Sequence, residues 1–111
     1  MTDIYADYNE VEKLIDEEKF SEAIERLKSI VAIDDTFVLA HLALARAYTK
    51  TGQHHEAIAH GEKACELEPT DSFNFTALSV TYQRAWAGTN EQQYITKAED
   101  AMAMARQVQQ S

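Results

Sequence analysis

Residues 37–69 read FVLAHLALARAYTKTGQHHEAIAHGEKACELEP, and this stretch decides the fold. Leu39, Leu42, Leu44, Ala45 and Tyr48 recur at helical spacing, and so do Ala57, Ile58, Ala64, Cys65 and Leu67 after a polar break. Apolar residues at three- and four-residue steps mark one buried face of a helix. The stretch therefore predicts two antiparallel helices with Gly52 in the turn between them. Pro69 stops the second helix, because it lacks an N–H and disfavours helix at the residue before it.

The pattern repeats outward in both directions. When the chain is aligned with itself at one constant shift, Leu14 falls on Tyr48, Ala23 on Ala57, Ile24 on Ile58, Ile30 on Ala64 and Ile33 on Leu67. KFSEAIERL and QHHEAIAHG share the Glu-Ala-Ile triplet in this alignment. On the other side Phe75, Leu78, Ser79 and Tyr82 repeat His41, Leu44, Ala45 and Tyr48 at the same shift. The last segment, KAEDAMAMARQV, matches only at a longer shift, with Ala98 on Ala57 and Ala105 on Ala64. The difference is seven additional residues, which predict an inserted, extended connection near residues 85–91, around Gly88, Thr89 and Asn90. Local capping signals complete the helix pattern: Thr2 or Asp3 for the first, Ser21 for the second, Asp34 or Asp35 for the third, Asp71 or Ser72 for the fifth and Asn90 for the last.

Leu44, Ala45, Tyr48, Gly52, Ala57, Ala64 and Pro69 follow the spacing of a tetratricopeptide repeat, whose unit is about 34 residues long. The chain resembles that family over nearly its whole length, with repeats at about 4–35, 37–69 and 71–109. The resemblance implies an all-α protein of about six helices, a right-handed superhelical stack of helix-turn-helix units forming one domain. The first repeat departs from the pattern: Asp7 and Glu10 replace bulky apolar residues, and Glu18 stands where glycine usually makes the turn. A terminal repeat has no neighbour on one side, so a polar outer face is physically reasonable.

In this family the first helix of each pair lines a concave groove that holds partner peptides or helices. The resemblance thus assigns partner contact to Tyr5 and Tyr8, to Leu39, Leu42 and Arg46, and to Phe73, Thr76 and Val80, with Glu12 among them and Lys50 and Arg84 near the far rim. One subgroup clamps a C-terminal carboxylate with Lys, Asn and Arg. Here Tyr8, Glu12, Ala43, Phe73 and Ala77 occupy those positions, so tail capture of that kind is disfavoured. An aromatic and aliphatic surface with a central Arg suits an amphipathic helix or an apolar segment. The competing reading is that Leu39, Leu42 and Phe73 simply pack between neighbouring helices.

Composition narrows the function classes. Three Gly and one Pro among 111 residues argue against an all-β or loop-rich chain. Residues 1–35 hold eleven Asp/Glu against four Lys/Arg and carry most of the net charge of −9. Such a chain repels phosphate backbones and anionic membranes, so neither nucleic acid nor membrane is an expected partner. It lacks an apolar run long enough to span a bilayer and begins with an acidic, signal-free segment. Its single cysteine, Cys65, lies among apolar residues, which predicts an inert buried thiol and a cytoplasmic protein.

Nothing in the sequence assembles a catalytic or cofactor site. His54, His55, Glu56 and His60 are the nearest approach to a metal cluster, but no strong ligand spacing occurs. His41 occupies an aromatic position of the repeat and predicts a packed imidazole. No nucleophile elbow, phosphate-cradling glycine loop or Cys–His pairing is present. The sequence predicts a non-catalytic protein–protein interaction module without cofactor or metal. The alternative is a self-assembling scaffold that forms homo-oligomers through its terminal helices.

Overall fold

The computed structural model describes residues 3–110, and all of their regular structure is helical. Three hairpins follow one another: α1 (Ile4–Asp16) with α2 (Phe20–Ile33), α3 (Val38–Lys50) with α4 (His54–Leu67), and α5 (Ser72–Thr89) with α6 (Gln93–Gln110). Each helix packs on the next in the chain, and α3 also meets α5. The result is a slab of 41 × 33 × 21 Å.

The helix starts divide into two kinds. Asp3 caps α1, its carboxylate accepting from the Tyr5 and Ala6 N–H groups at 3.0 and 3.3 Å. Thr2, the other expected cap, lies outside the described residues. Asp71 caps α5 by accepting from Phe73 N–H at 3.0 Å. Ser21 does not cap α2, which starts one residue earlier behind Lys19 without a side-chain cap. The turn leaves only Lys19 between a left-handed residue and the helix, so backbone geometry starts α2 instead. Asp34 folds its own turn, accepting from the Thr36 N–H at 3.0 Å and from the Thr36 hydroxyl at 2.6 Å. The cap position of α3 itself falls to Phe37, whose side chain accepts nothing.

The first two hairpin turns are the same object. After α1, Glu18 N–H donates to Ile15 O and Lys19 N–H to Leu14 O; after α3, Gly52 N–H donates to Thr49 O and Gln53 N–H to Tyr48 O. This is the six-to-one and five-to-two pairing of a Schellman motif, which needs a left-handed residue. Gly52 supplies it at φ 77°, and Glu18 supplies it at φ 60° despite its side chain.

The third hairpin corrects the sequence expectation. No extended connection occupies residues 85–91. By the regular repeat shift α5 would end at Arg84, the counterpart of Lys50, yet it runs five residues further, to Thr89. By the longer shift α6 would start at Ile95, the counterpart of His54, yet it starts two residues earlier, at Gln93. Three residues make the link in both hairpins, 51–53 and 90–92. The seven additional residues lengthen the two helices and leave the loop unchanged. Asn90 ends α5 in the left-handed conformation, φ 61°, with its N–H on Trp86 O, and does not cap α6.

Small residues set how closely the hairpins nest. Ala23, Ala40, Ala43, Ala47, Ala57 and Ala64 are wholly buried, and Ala45 nearly so. Val11, Leu27, Ile30 and Leu44 fill the space between the first hairpin and α3. Ile58, Cys65, Leu78, Tyr82, Tyr94 and Ala101 do the same around α5. Close packing of this kind tolerates little change of volume. A Cβ added at Gly61 would lie 3.1 Å from Leu78 Cδ1, so glycine sets the approach of α4 to α5. Buried polar groups are bonded across the same seams. Asn74 Nδ2 donates to Ala64 O and Glu68 O, both at 3.4 Å, adding a side-chain donor to carbonyls at the end of α4 that already accept the Glu68 and Asp71 N–H groups. Ser79 Oγ donates to Ala98 O at 3.0 Å and ties α5 to α6.

Candidate functional site

The expected contact residues lie on the first helices of the hairpins, at register positions shared by successive repeats. Tyr5, Leu39 and Phe73 occupy one position on α1, α3 and α5, and they are 69%, 49% and 63% exposed. Large apolar side chains left in water at three successive equivalent positions are not core. The next row, Tyr8, Leu42 and Thr76, is half-buried at Tyr8 and Leu42 and exposed at Thr76, whose hydroxyl donates to Ser72 O at 3.1 Å. In the third row Arg46 and Val80 are exposed and Glu12 is partly covered. Lys50 and Arg84 are exposed beyond it, and Arg46, Lys50 and Arg84 make no ion pair among the described residues.

The structure brings some of these together. Tyr5 and Tyr8 both pack edge-on against Phe37, with ring centroids 5.3 and 5.6 Å apart. Phe37 itself is buried and escaped the sequence reading: it sits one residue before α3 but continues the buried stripe of Ala40, Leu44 and Ala47. Tyr8, Glu12 and Arg46 form one electrostatic group across α1 and α3. Burial, then the hydrogen bond and charge of Glu12, push the Tyr8 hydroxyl up to about 12, with Arg46 opposing. No direct contact joins Arg84 or Val80 to this group among the described hydrogen bonds and ring contacts.

The histidines are divided among separate tasks. His41 is buried, with Nε2 2.7 Å from Asp35 O and Nδ1 3.0 Å from His60 Nδ1. A carbonyl only accepts, so His41 carries its proton on Nε2, and His60 Nδ1–H donates to His41 Nδ1. His60 also stacks on Tyr48 at 5.8 Å. Burial, and then the charge His41 can carry, hold His60 below its usual value. His55 faces Glu91 at 3.6 Å, while His54 lies against Gly88. Among the described residues no three His, Cys, Asp or Glu side chains group as metal ligands. Cys65 is buried, and its thiol is pushed up to about 11 by burial first and then by Glu62 and Asp71. Tyr82 donates to the Glu62 carboxylate, and its hydroxyl is raised by burial and by that partner.

A second concave feature lies on the last hairpin. Between α5 and α6 runs an open groove of about 530 Å³, floored by Ser79, Tyr94 and Ala98 and edged by Trp86, Met102 and Arg106. Trp86 is 40% exposed there, neither packed under α6 nor free on an open surface.

Repeated helix hairpins with buried small residues at a constant period and an exposed row on the first helices define a helical-repeat protein. The model of the tetratricopeptide repeat matches residues 14–72, just over half of the chain, and the protein belongs to that family. Among characterised proteins it is similar to human DnaJ homolog subfamily C member 7, with 38% identity over 52 residues. That match spans 47% of this chain and only 10% of the human protein. Tetratricopeptide repeats are in general protein–protein interaction modules without catalysis. No described helix is long and apolar enough to cross a membrane.

Proposed function

We propose that this chain is a non-catalytic interaction module that holds a partner peptide or amphipathic helix along the exposed face of α1, α3 and α5. The observation that carries this reading is the row Tyr5, Leu39 and Phe73, three large apolar side chains in water at one repeated register. An exposed apolar row of this kind is an interaction surface when other elements of the fold bury theirs. Tyr8, Leu42, Thr76 and Val80 extend the row, and Arg46 and Arg84, which make no ion pair among the described residues, supply charge selectivity at its edge. Aromatic and Arg side chains are the usual anchors of such contacts. The same proposal sets the protein to work in the cytoplasm, since its one cysteine is an unpaired thiol of the kind a reducing compartment preserves.

The test is selection of binding peptides from a displayed library on the wild type, followed by titration against Leu39→Glu plus Phe73→Glu. Both side chains are exposed, so the double variant keeps its fold, which circular dichroism checks. Selected peptides should carry apolar residues at helical spacing and bind the variant at least about tenfold more weakly. Equal affinity for a folded variant removes this face from consideration.

A further inference from the structure

We propose that two copies of this chain pair through their α5–α6 grooves, as an isologous dimer with the two α6 helices antiparallel about a point between Met102 and Ala103. The inference concerns a different surface from the exposed row of α1, α3 and α5 and does not rest on it.

The two ends of the stack are finished differently. Each internal hairpin presents a groove that the next hairpin covers. The second hairpin receives α5 on Ile58, Gly61 and Cys65, with Leu78 at Gly61. In the alignment that places Ala98 on Ala57, the corresponding residues of the last hairpin are Glu99, Met102 and Arg106, and no helix covers them among the described residues. The groove they edge is the unfilled member of a series whose other members each hold a helix. A helix is therefore the shape it fits.

The occupant is narrowed by polarity. The side of the second hairpin that enters the preceding groove carries Phe37, just before α3, and Ala40, Leu44 and Ala47 of α3, all buried. One repeat earlier the same positions on the first hairpin are Asp3, Ala6, Glu10 and Lys13, all exposed. That face cannot enter an apolar groove without burying charge. Head-to-tail addition of copies, which would give an open filament, is thereby disfavoured.

Pairing of like ends has the opposite balance. Ile95, Glu99, Met102 and Arg106 lie on one stripe of α6, at steps of four, three and four residues. Ile95 and Met102 are apolar, and the two charges flank Met102, three residues before it and four after it. In an antiparallel pair with its twofold axis between Met102 and Ala103, Glu99 of one copy faces Arg106 of the other, twice over. Neither residue makes an ion pair within its own chain among the described residues. Trp86 and Ile95, 40% and 37% exposed, line the far end of each groove, where the last turns of the opposing α6 would cover them.

Sedimentation velocity over a concentration series tests the proposal, with emission from Trp86, the only tryptophan, as a second reading of the same event. The wild type should pass from monomer to dimer as Trp86 emission shifts to shorter wavelength. E99R and R106E, both at exposed positions, should each raise the dissociation constant by at least about tenfold, since each turns two attractive pairs repulsive. Mixed in equal amounts, the two variants should pair again, because every facing couple is then of opposite sign. A wild type that stays monomeric throughout overturns the proposal. So does a dimer indifferent to both reversals, a mixture that fails to regain pairing, or assemblies that grow beyond two.

Discussion

Glu18 and Gly52 end equivalent helices in equivalent turns, and exchanging their roles gives a measurable energy. Both turns make the same two backbone bonds, and both need a left-handed residue, at φ 60° and φ 77°. For a residue with a Cβ that conformation costs about 1–2 kcal/mol, whereas glycine adopts it freely. Glycine gives back about 0.5–1 kcal/mol through the greater freedom of the unfolded chain. Glu18→Gly should therefore stabilise the protein by up to about 1 kcal/mol, a rise in melting temperature of about 4 °C for a chain of this size. The reverse change is equally clean. A Cβ on Gly52 would meet no atom within 4 Å, so Gly52→Ala isolates the backbone cost from any clash. It should destabilise by a similar amount. Urea unfolding followed by circular dichroism at constant m-value measures both. If Glu18→Gly lowers stability, or Gly52→Ala leaves it unchanged, the turns are not held as described.

Three further outcomes follow from the structure. A Cβ on Gly88 would lie 2.3 Å from His54 Nε2, so Gly88→Ala should destabilise by about 1 kcal/mol even though alanine is the better helix former, and adding His54→Ala should recover the loss in a double-mutant cycle. His60 is held below its usual 6.5 by burial and by His41, so the unfolded chain takes up that proton first as pH falls. The stability this contributes is complete above about pH 6.5, is lost as pH falls through the depressed folded value, and its slope should flatten in His60→Gln, as denaturant midpoints between about pH 5 and 7 would reveal. Cys65, buried with its thiol pushed up to about 11, should react with a thiol reagent only on unfolding; rapid labelling of the native protein would contradict its burial.

Much of the fold was legible because its signal is local and periodic. The small residues Ala45, Ala57 and Ala64 and the turn glycine Gly52 each answer to a steric requirement that returns once in every repeat, so they can be read by aligning the chain with itself. Asp3 and Asp71 were legible as caps because an aspartate just ahead of a helix is a local signal, bonding N–H groups two or three residues away. Ser21 was not, because a turn that delivers the chain directly into α2 leaves no place for a capping side chain. The seven added residues were misread as a connection because Gly88 and Asn90 are loop formers by composition. What decides their place is contact: Gly88 is small where α5 passes His54, and Asn90 supplies the left-handed stop. Of the expected contact residues, Tyr5, Leu39 and Phe73 lie on the first helices of their hairpins, while the part Phe37 plays beneath the tyrosines depends on α1 meeting the start of α3.

The sequence by itself determined the helix pairs, their period and the small residues that let them nest, since each depends on neighbours one turn or one repeat away. Only the tertiary structure decided which apolar side chains stay in water, that His41 and His60 share a proton-bearing contact, and that the last hairpin grows longer and leaves an open groove. Those outcomes depend on surfaces brought together from separate helices, and the geometry of that meeting is not written in the spacing of any one of them.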